Sequence, residues 1–304
     1  MMEENWRERL VIDLELKDYV YDLPLAQVTS FRIGGPADLF VEPGTPDQLA
    51  DVIEYCQEKQ VPWFFLGRGS NLLVRDKGIR GVVIRLGKQF SYVEVEGRRL
   101  KAGAATPLSI VAEAAVRHSL AGLEFASGIP GSMGGAVFMN AGAYGGEMQQ
   151  VVQEVEVYLP GRGRRSLGRE SLCFGYRHSV LQEEQMIALA VSLELAPGEA
   201  EAIRAKMADF NRRRKSKQPL NLPSAGSVFK RPDGYYAGTL IQEAGLKGAR
   251  VGDAQVSEKH AGFIVNLGRA TADDVLRLIA LVRKEVMKKF GVNLEPELRT
   301  VGEE

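Results

Sequence analysis

The feature that most constrains this chain is a glycine-rich stretch near its middle, GIPGSMGG, which runs from Gly128 to Gly135. It holds four glycines, a proline and a serine in eight residues, a density that a plain connection between two elements seldom needs. Glycine adopts backbone conformations closed to other residues and lets the main chain approach a ligand closely. The stretch therefore predicts a loop whose backbone binds a ligand.

A second glycine loop, GRGSN at 67–71, lies between the apolar runs VPWFFL and GVVIRL. This is a strand, loop, strand pattern, and two glycines there can turn backbone N–H groups toward an anion such as a diphosphate. The loop does not match the dinucleotide fingerprint GxGxxG, because Leu72 replaces the third glycine and no helix pattern follows. A tight turn explains this loop equally well by itself. Two such loops after apolar runs suggest a large phosphorylated cofactor.

Three helices have start signals in the sequence. Thr45 is an N-cap residue with Gln48 placed to complete a capping box, and Thr106–Pro107 predicts a second start. Thr271 caps the last helix, which should end at Gly291. Its predicted buried stripe consists of Val275, Leu278, Ile279, Val282 and Val286.

Composition excludes several classes of partner. Lys and Arg together number 39, as do Asp and Glu, so no global field favours nucleic acid or an anionic membrane. Cys56 and Cys173 lie far apart, without metal-ligand spacing, and are expected to be free thiols with no metal site. The charged N-terminus has no apolar signal core, and the longest apolar run, MIALAVSL, is too short to cross a bilayer. We expect a cytoplasmic protein without membrane insertion, and a monomer, although the sequence leaves the oligomeric state open.

Eight segments, in order, carry a resemblance to a known family: TSFRIGGPADLFVEP, LGRGSNLLV, GLEFASGIPGSMGGAVFMNAGAYG, CFGYRHS, AGSVFKRP, LIQEAGLKG, KHAGFIVN and LEPELR. Together they resemble the UDP-N-acetylenolpyruvoylglucosamine reductases, also called UDP-N-acetylmuramate dehydrogenases. The resemblance runs from Thr29 to Arg299. The short interval between GYRHS and AGSVF is similar to the shorter subtype of the family, which lacks an extra loop over the substrate.

The resemblance implies an α+β fold, in which a two-lobed FAD-binding domain of the vanillyl-alcohol oxidase type precedes a smaller α+β substrate-binding domain. The expected borders are 1–87 for lobe 1, 88–205 for lobe 2 and 206–304 for the substrate domain, with the C-terminal strand able to return to lobe 1. FAD would lie between the lobes. The implied FAD-binding residues are Arg32, Gly67, Arg68, Gly69, Ser70, Asn71, Gly128, Pro130, Gly131, Ser132, Gly134 and Ala141.

The same resemblance implies three catalytic residues, Arg177, Ser227 and Glu297. The implied reaction is reduction of UDP-N-acetylglucosamine enolpyruvate with NADPH as co-substrate. Hydride arriving at the methylene carbon builds negative charge on the neighbouring carbon and its carboxylate, which calls for a fixed cation and a proton donor. Arg177 would supply the cation, Ser227 the proton, and Glu297 would polarise the enolic intermediate. Tyr176 and Lys230 are expected to contact the substrate.

Other functions remain open at this point. Lys230 stands three residues after Ser227, an SxxK pattern used in serine acylation, but the SDN and KTG elements that accompany it do not occur in this chain. A different FAD enzyme on the same domain, such as an alcohol or hydroxy-acid oxidase, is a second alternative. A non-catalytic nucleotide-binding regulator is a third.

Overall fold

A computed structural model of the chain describes residues 5–304, which form a mixed α+β fold. The helices are α1 (Trp6–Asp13), α2 (Pro46–Glu58), α3 (Leu108–Arg117), α4 (Met133–Phe138), α5 (Ala200–Lys217), α6 (Ala237–Glu243) and α7 (Ala272–Phe290). Short 3₁₀ helices span Leu25–Gln27, Lys88–Phe90, Glu124–Ala126, Met148–Gln150, Arg169–Leu172 and Val180–Gln182. The expectation of an N-terminus without a signal core falls in part on residues 1–4, outside the described residues.

Strands make up most of the remaining regular structure. The strands of the first half are β1 (Tyr19–Pro24), β2 (Pro36–Val41), β3 (Trp63–Phe65), β4 (Leu72–Val74), β5 (Ile79–Ile84), β6 (Val93–Glu96), β7 (Arg99–Gly103), β8 (Leu120–Ala121), β9 (Gly142–Ala143) and β10 (Gly146–Glu147). Those of the second half are β11 (Val152–Leu159), β12 (Gly163–Gly168), β13 (Ile187–Glu194), β14 (Ala196–Pro197), β15 (Arg250–Val251), β16 (Ala254–Val256), β17 (Ile264–Asn266) and β18 (Arg299–Val301). One four-stranded sheet has the order β1-β2-β5-β3, with β3 parallel to β5.

The chain divides into two compact units that alternate along the sequence. Unit 1 comprises Met1–Val20, Leu39–Arg68 and Gly81–Arg214, and unit 2 comprises Tyr21–Asp38, Gly69–Arg80 and Lys215–Glu304. Each unit has a hydrophobic core of its own. The three consecutive domains expected from the sequence stay a prediction.

Unit 1 is built around a five-stranded antiparallel sheet in the order β12-β11-β13-β7-β6. In β11, Val155 and Val157 are fully buried on either side of the half-buried Glu156, as the alternation of side chains along a strand requires. In α2, the Thr45 hydroxyl accepts from the Gln48 N–H as predicted. The Gln48 side chain, however, accepts from the Gly44 N–H at 2.8 Å and not from Thr45, so the capping box is displaced by one residue.

The second predicted helix start agrees with the structure: α3 begins at Leu108, and Pro107 is its N-cap. Thr106 does not cap the helix, because its hydroxyl donates to the Tyr92 carbonyl at 3.0 Å and accepts from the Tyr92 N–H at 3.1 Å. The hydroxyl therefore closes the loop after β7.

In unit 2, α7 packs against β15 and β16 of an antiparallel sheet with the order β15-β16-β17. All five residues of its predicted apolar stripe are buried, which confirms the stripe. Thr271 forms a complete capping box with Asp274, and Gly291 ends the helix at a φ of +70°, both as predicted. The last strand, β18, pairs in parallel with β4.

Within residues 5–304, every helix is too short or too polar to cross a bilayer. In the same range, no cluster of three His, Cys, Asp or Glu side chains is arranged to hold a metal ion. Both cysteines are free thiols, as predicted, and burial raises the pKa of Cys56 to about 12.

Candidate functional site

The first glycine loop, residues 67–71, follows β3 closely. Gly69 has a φ of +61°, and a Cβ at this position would lie 2.7 Å from the Val28 carbonyl oxygen. Among residues 5–304, no acceptor is found for the backbone N–H groups of Gly67, Arg68, Gly69 and Ser70. Consecutive unpaired N–H groups in a glycine turn form a concavity suited to an anion. Packing alone requires glycine at 69.

The second glycine loop faces the first at one point. A Cβ built on Gly67 would lie 3.6 Å from the Ser132 hydroxyl. Ser132 is 5% exposed and caps α4, its hydroxyl accepting from the Gly135 N–H at 3.4 Å. Gly131 has a φ of +152°, and in the described part of the chain neither its N–H nor that of Ser132 has an acceptor. A buried unpaired N–H carries a free-energy cost that a bound anion would remove.

Two predicted FAD-binding residues have structural explanations of their own. A Cβ on Gly134 would lie 3.0 Å from the Ala104 Cβ and 3.3 Å from the Ala188 Cβ, so glycine allows α4 to pack closely on the sheet. Its N–H donates to the Ala104 carbonyl at 2.9 Å. The Ala141 N–H donates to the Ala136 carbonyl at 2.8 Å. For Gly134 and Ala141, contact with FAD stays a prediction.

Arg32 lies beside the first loop in unit 2. Its φ is +53°, its side chain is exposed, and its carbonyl accepts from the Asn266 side chain at 3.4 Å. The neighbouring Ser30 N–H donates to the Gly69 carbonyl at 3.1 Å. The backbone around Arg32 is thus fixed to the loop, and an FAD contact of its guanidinium stays a prediction.

The helix α5 contributes a residue that the sequence analysis missed. The basic run RRRKSK at 212–217 has the pattern of a solvated helix end, and Arg212 and Arg213 do pair with Asp209 at the surface. Arg214 departs from this pattern, because its guanidinium donates to the Gly128 carbonyl. Burial lowers the pKa of Arg214, and its buried Nε has no partner among residues 5–304. The basic run alone gave no signal of which arginine turns inward.

Taken together, the loops fit FAD. Within the described part of unit 1, the N–H groups without acceptors at 67–68 and at 131–132 are donors suited to a diphosphate, and Gly67 lies close to the Ser132 hydroxyl of the second loop. Pro130 is exposed at the second loop, and its own contact with FAD stays a prediction. FAD would supply the hydride chemistry that no side chain of the chain can perform.

Arg177 lies in a tight turn of unit 1. Gly175 and His178 exchange backbone hydrogen bonds of 3.1 and 3.2 Å across the turn. Arg177 adopts a φ of +56°, an uncommon conformation for a residue with a side chain. Its guanidinium lies 5.1 Å from the ring centroid of Tyr176, which is 56% exposed. The turn presents a half-buried cation and an exposed aromatic ring side by side.

Ser227 lies on an extended segment of unit 2, between Gly226 and Val228. It forms an isolated β-bridge with Phe263, and the Val228 N–H donates to the Gly262 carbonyl at 2.9 Å. Gly226 adopts a φ of +80° immediately before it. The Ser227 side chain is left exposed, as a proton donor to a substrate must be.

Glu297 lies on a backbone segment that is hydrogen-bonded to the segment of Ser227. The Glu297 N–H donates to the Val228 carbonyl at 2.8 Å, so the two predicted catalytic residues lie on adjoining backbone segments. The Asn71 side chain donates to the Glu297 carbonyl at 3.3 Å, which ties this segment to the end of the first glycine loop. Glu297 is half-buried, whereas Glu295 is exposed. The two glutamates of LEPE, of which the resemblance implies Glu297, thus differ in burial.

Lys230 has a partner of its own. Its ammonium lies 3.2 Å from the Glu295 carboxylate, and its N–H donates to the Glu295 carbonyl at 2.9 Å. The SxxK alternative requires this lysine to serve Ser227, whereas in the structure its ammonium is paired with Glu295. Substrate contact by Lys230 or Tyr176 stays a prediction.

Comparison with known proteins gives matches over nearly the whole chain. The family model described as an FAD binding domain matches residues 37–165, and the model described as the UDP-N-acetylenolpyruvoylglucosamine reductase C-terminal domain matches residues 218–301. These matches confirm the expected order, an FAD-binding domain of the vanillyl-alcohol oxidase type followed by the family's C-terminal domain.

Full-length relatives agree with the domain matches. UDP-N-acetylenolpyruvoylglucosamine reductases from Caldanaerobacter subterraneus subsp. tengcongensis and Alkaliphilus oremlandii are 52% and 53% identical; the alignments cover 92% and 93% of this chain and the same shares of theirs. The crystal structure of UDP-N-acetylenolpyruvylglucosamine reductase from Thermus caldophilus, 40% identical, superposes with a TM-score of 0.80 over 93% of this chain and 98% of that one. The chain belongs to the UDP-N-acetylenolpyruvoylglucosamine reductase family.

Proposed function

We propose that this protein reduces UDP-N-acetylglucosamine enolpyruvate to UDP-N-acetylmuramate with NADPH and bound FAD, in the synthesis of peptidoglycan precursors. Membership of the family supports the reaction. The observation that carries it in this chain is the pair of backbone bonds to Val228 and Gly262, which keeps Ser227 exposed beside Glu297. A serine and a glutamate so placed suit protonation of a carbanion next to a carboxylate.

Arg177 is proposed to hold the substrate carboxylate. Reduction adds hydride to the methylene carbon of the enolpyruvyl group and leaves an electron pair on the neighbouring carbon, conjugated with the carboxylate. A guanidinium stays charged and can donate two parallel hydrogen bonds to a carboxylate, so it stabilises this charge as it grows. The turn at 175–178 fixes the Arg177 backbone before the substrate binds.

Ser227 is proposed to deliver the proton that completes the reaction. The proton bonds to the carbon that holds the electron pair, and one hydride and one proton together convert the alkene into the saturated lactyl ether. A serine hydroxyl is a weak acid, so the intermediate must be stabilised. Glu297 is proposed to polarise the enolic intermediate beside Ser227, and the alkoxide is reprotonated from solvent.

The proposal extends to ligand contacts, domain organisation and localisation. We propose that Tyr176 and Lys230 contact the sugar nucleotide, that the glycine loops hold the FAD diphosphate, and that the chain comprises two FAD-binding lobes and a substrate domain. Equal numbers of acidic and basic residues support a protein that binds no nucleic acid. A cytoplasmic monomer is part of the same proposal.

The visible spectrum of the purified protein tests the function. We expect a yellow protein that bleaches with NADPH under nitrogen and regains its colour when UDP-N-acetylglucosamine enolpyruvate is added, with one NADPH consumed per product. UDP-N-acetylglucosamine without the enolpyruvyl group is the matched control and should leave the protein bleached. Fast reoxidation by oxygen without the sugar substrate would favour an oxidase, and a colourless protein would favour a nucleotide-binding regulator.

A further inference from the structure

Arg177 occupies a backbone conformation that its surroundings must maintain. Its φ of +56° lies in the left-handed region, where residues with a side chain are strained. The bonds exchanged by Gly175 and His178 close the turn, but they do not attach it to the rest of unit 1. The attachment comes from side chains, among them Gln182, which lies outside the GYRHS motif.

Gln182 makes the attachment nearest to Arg177. Its Nε2 donates to the Arg177 carbonyl at 3.0 Å and to the Phe138 carbonyl at 2.7 Å. Both neighbours are acceptors, so the amide must present its NH₂ group to them, and the two hydrogens serve one carbonyl each. The Ser179 hydroxyl donates to the same Phe138 carbonyl at 3.0 Å.

Phe138 is the last residue of α4, the helix that Ser132 caps at the second glycine loop. The amide of Gln182 therefore joins the carbonyl of the carboxylate-binding arginine to the end of the helix that begins at the FAD-binding loop. A displacement of about 1 Å at a reacting centre can cost about 100-fold in rate. A single side chain that spans these two carbonyls is well placed to prevent such a displacement.

Asn140 also donates to a carbonyl of the turn, but unlike Gln182 it is fully buried. Its side chain donates to the Gly175 carbonyl at 3.0 Å and to Glu147 at 3.2 Å, and it accepts from the Gln149 N–H. It is 1% exposed, so its removal would disturb the fold around it. Gln182 is half-buried, and its hydrogen bonds join only the two carbonyls.

We propose that Gln182 is a positioning residue for the substrate half of the reaction: it holds Arg177 at a fixed place relative to α4. The proposal rests on the proposed function. In this role Gln182 acts through Arg177, to whose carbonyl its side chain donates. Its effect should therefore depend on the presence of the arginine side chain.

The test compares Q182M and Q182E in the holoenzyme. Methionine keeps the length and removes both donors, and glutamate keeps the shape but presents acceptors to two carbonyls. We expect Q182M to slow reoxidation of the reduced flavin by the enolpyruvyl sugar by about 10- to 100-fold, with a larger effect in Q182E, while NADPH bleaches the flavin at the native rate. The control is Q255M, because Gln255 donates to one carbonyl, that of Gly248, in unit 2.

A double-mutant cycle separates positioning from a general structural role. In an R177A background, Q182M should change the same rate by less than about twofold, because the side chain that it positions is gone. Equal slowing of both half-reactions, a full additive effect in R177A, or failure of both Gln182 variants to fold with FAD would overturn the proposal. An inactive native protein would instead reject the proposed function.

Discussion

The turn that carries Arg177 and the segment that carries Ser227 are held by different kinds of bonds. In unit 1, the side chains of Gln182 and Asn140 donate to carbonyls of the turn, in which Arg177 has a strained φ. The segment around Ser227, in unit 2, depends on backbone hydrogen bonds of Val228. Side-chain substitutions near the turn should therefore alter catalysis more than substitutions near the segment, apart from Ser227 itself.

The largest effect should come from removing FAD. Gly131 has a φ of +152°, which a β-branched residue does not adopt without rearranging the loop. Gly131→Val should purify folded but without flavin absorbance. The matched control is Gly97→Val, a hairpin glycine with a φ of +58° and open space around its Cβ position, which should stay yellow. A fully yellow Gly131→Val protein would exclude this loop from the FAD site.

Ser227→Ala should have the next largest effect. The backbone bonds that hold the segment do not involve the side chain, so the variant should fold normally. Loss of a positioned general acid removes about 10² to 10⁴ in rate, and steady-state turnover should fall by this factor. Ser227→Cys, with a stronger acid, should recover part of the loss. A cysteine variant as slow as alanine would argue against proton donation.

Arg177→Lys should lower turnover by about 10²-fold. The charge is kept, but the paired hydrogen bonds to the carboxylate are lost, and one missing preorganised donor has about this effect. The measurement is kcat with the enolpyruvyl sugar at saturation, with flavin content as a check on folding. Arg162→Lys provides a control at an exposed arginine of the same unit. Native turnover in Arg177→Lys would assign the carboxylate to another cation.

Lys230→Gln should have the smallest effect on the fold. Its ion pair with Glu295 is exposed, and such pairs contribute about 0 to 1 kcal/mol to the free energy of unfolding. If Lys230 contacts the sugar nucleotide in ground state and transition state alike, KM for the sugar should rise while kcat stays unchanged. Urea unfolding and steady-state kinetics together measure both quantities. A lower kcat with an unchanged KM would contradict this role.

Local signals predicted local structure well. The capping box at Thr271, the buried stripe and the stop at Gly291 all depend on residues within α7, and the structure confirms each of them. Near Thr106 the helix start was also predicted, although tertiary bonds to Tyr92 take the hydroxyl that a cap would need. The alternation of two units along the chain depends on contacts distant in sequence, which no local pattern encodes.

For the site too, the sequence predicted residues within local motifs but not those whose role depends on contacts distant in sequence. Motifs identified Arg177, Ser227 and Glu297 as candidates, and the structure adds that Ser227 and Glu297 share Val228 as a neighbour. Gln182 lies outside every motif, and its importance depends on the carbonyl of Phe138, 44 residues earlier. Glycine at 134 was assigned to ligand binding, but close packing of α4 is sufficient to require it.

The proton-donor role proposed for Ser227 is tested most directly by the rate at which NADPH bleaches the flavin of Ser227→Ala. If Ser227 acts only after hydride has reached the substrate, it has no task in this half-reaction. Anaerobic stopped-flow absorbance at the flavin band should then show bleaching at the native rate, while reoxidation by UDP-N-acetylglucosamine enolpyruvate falls by about 10² to 10⁴. Equal slowing of bleaching and reoxidation would contradict the assignment of Ser227 as the proton donor.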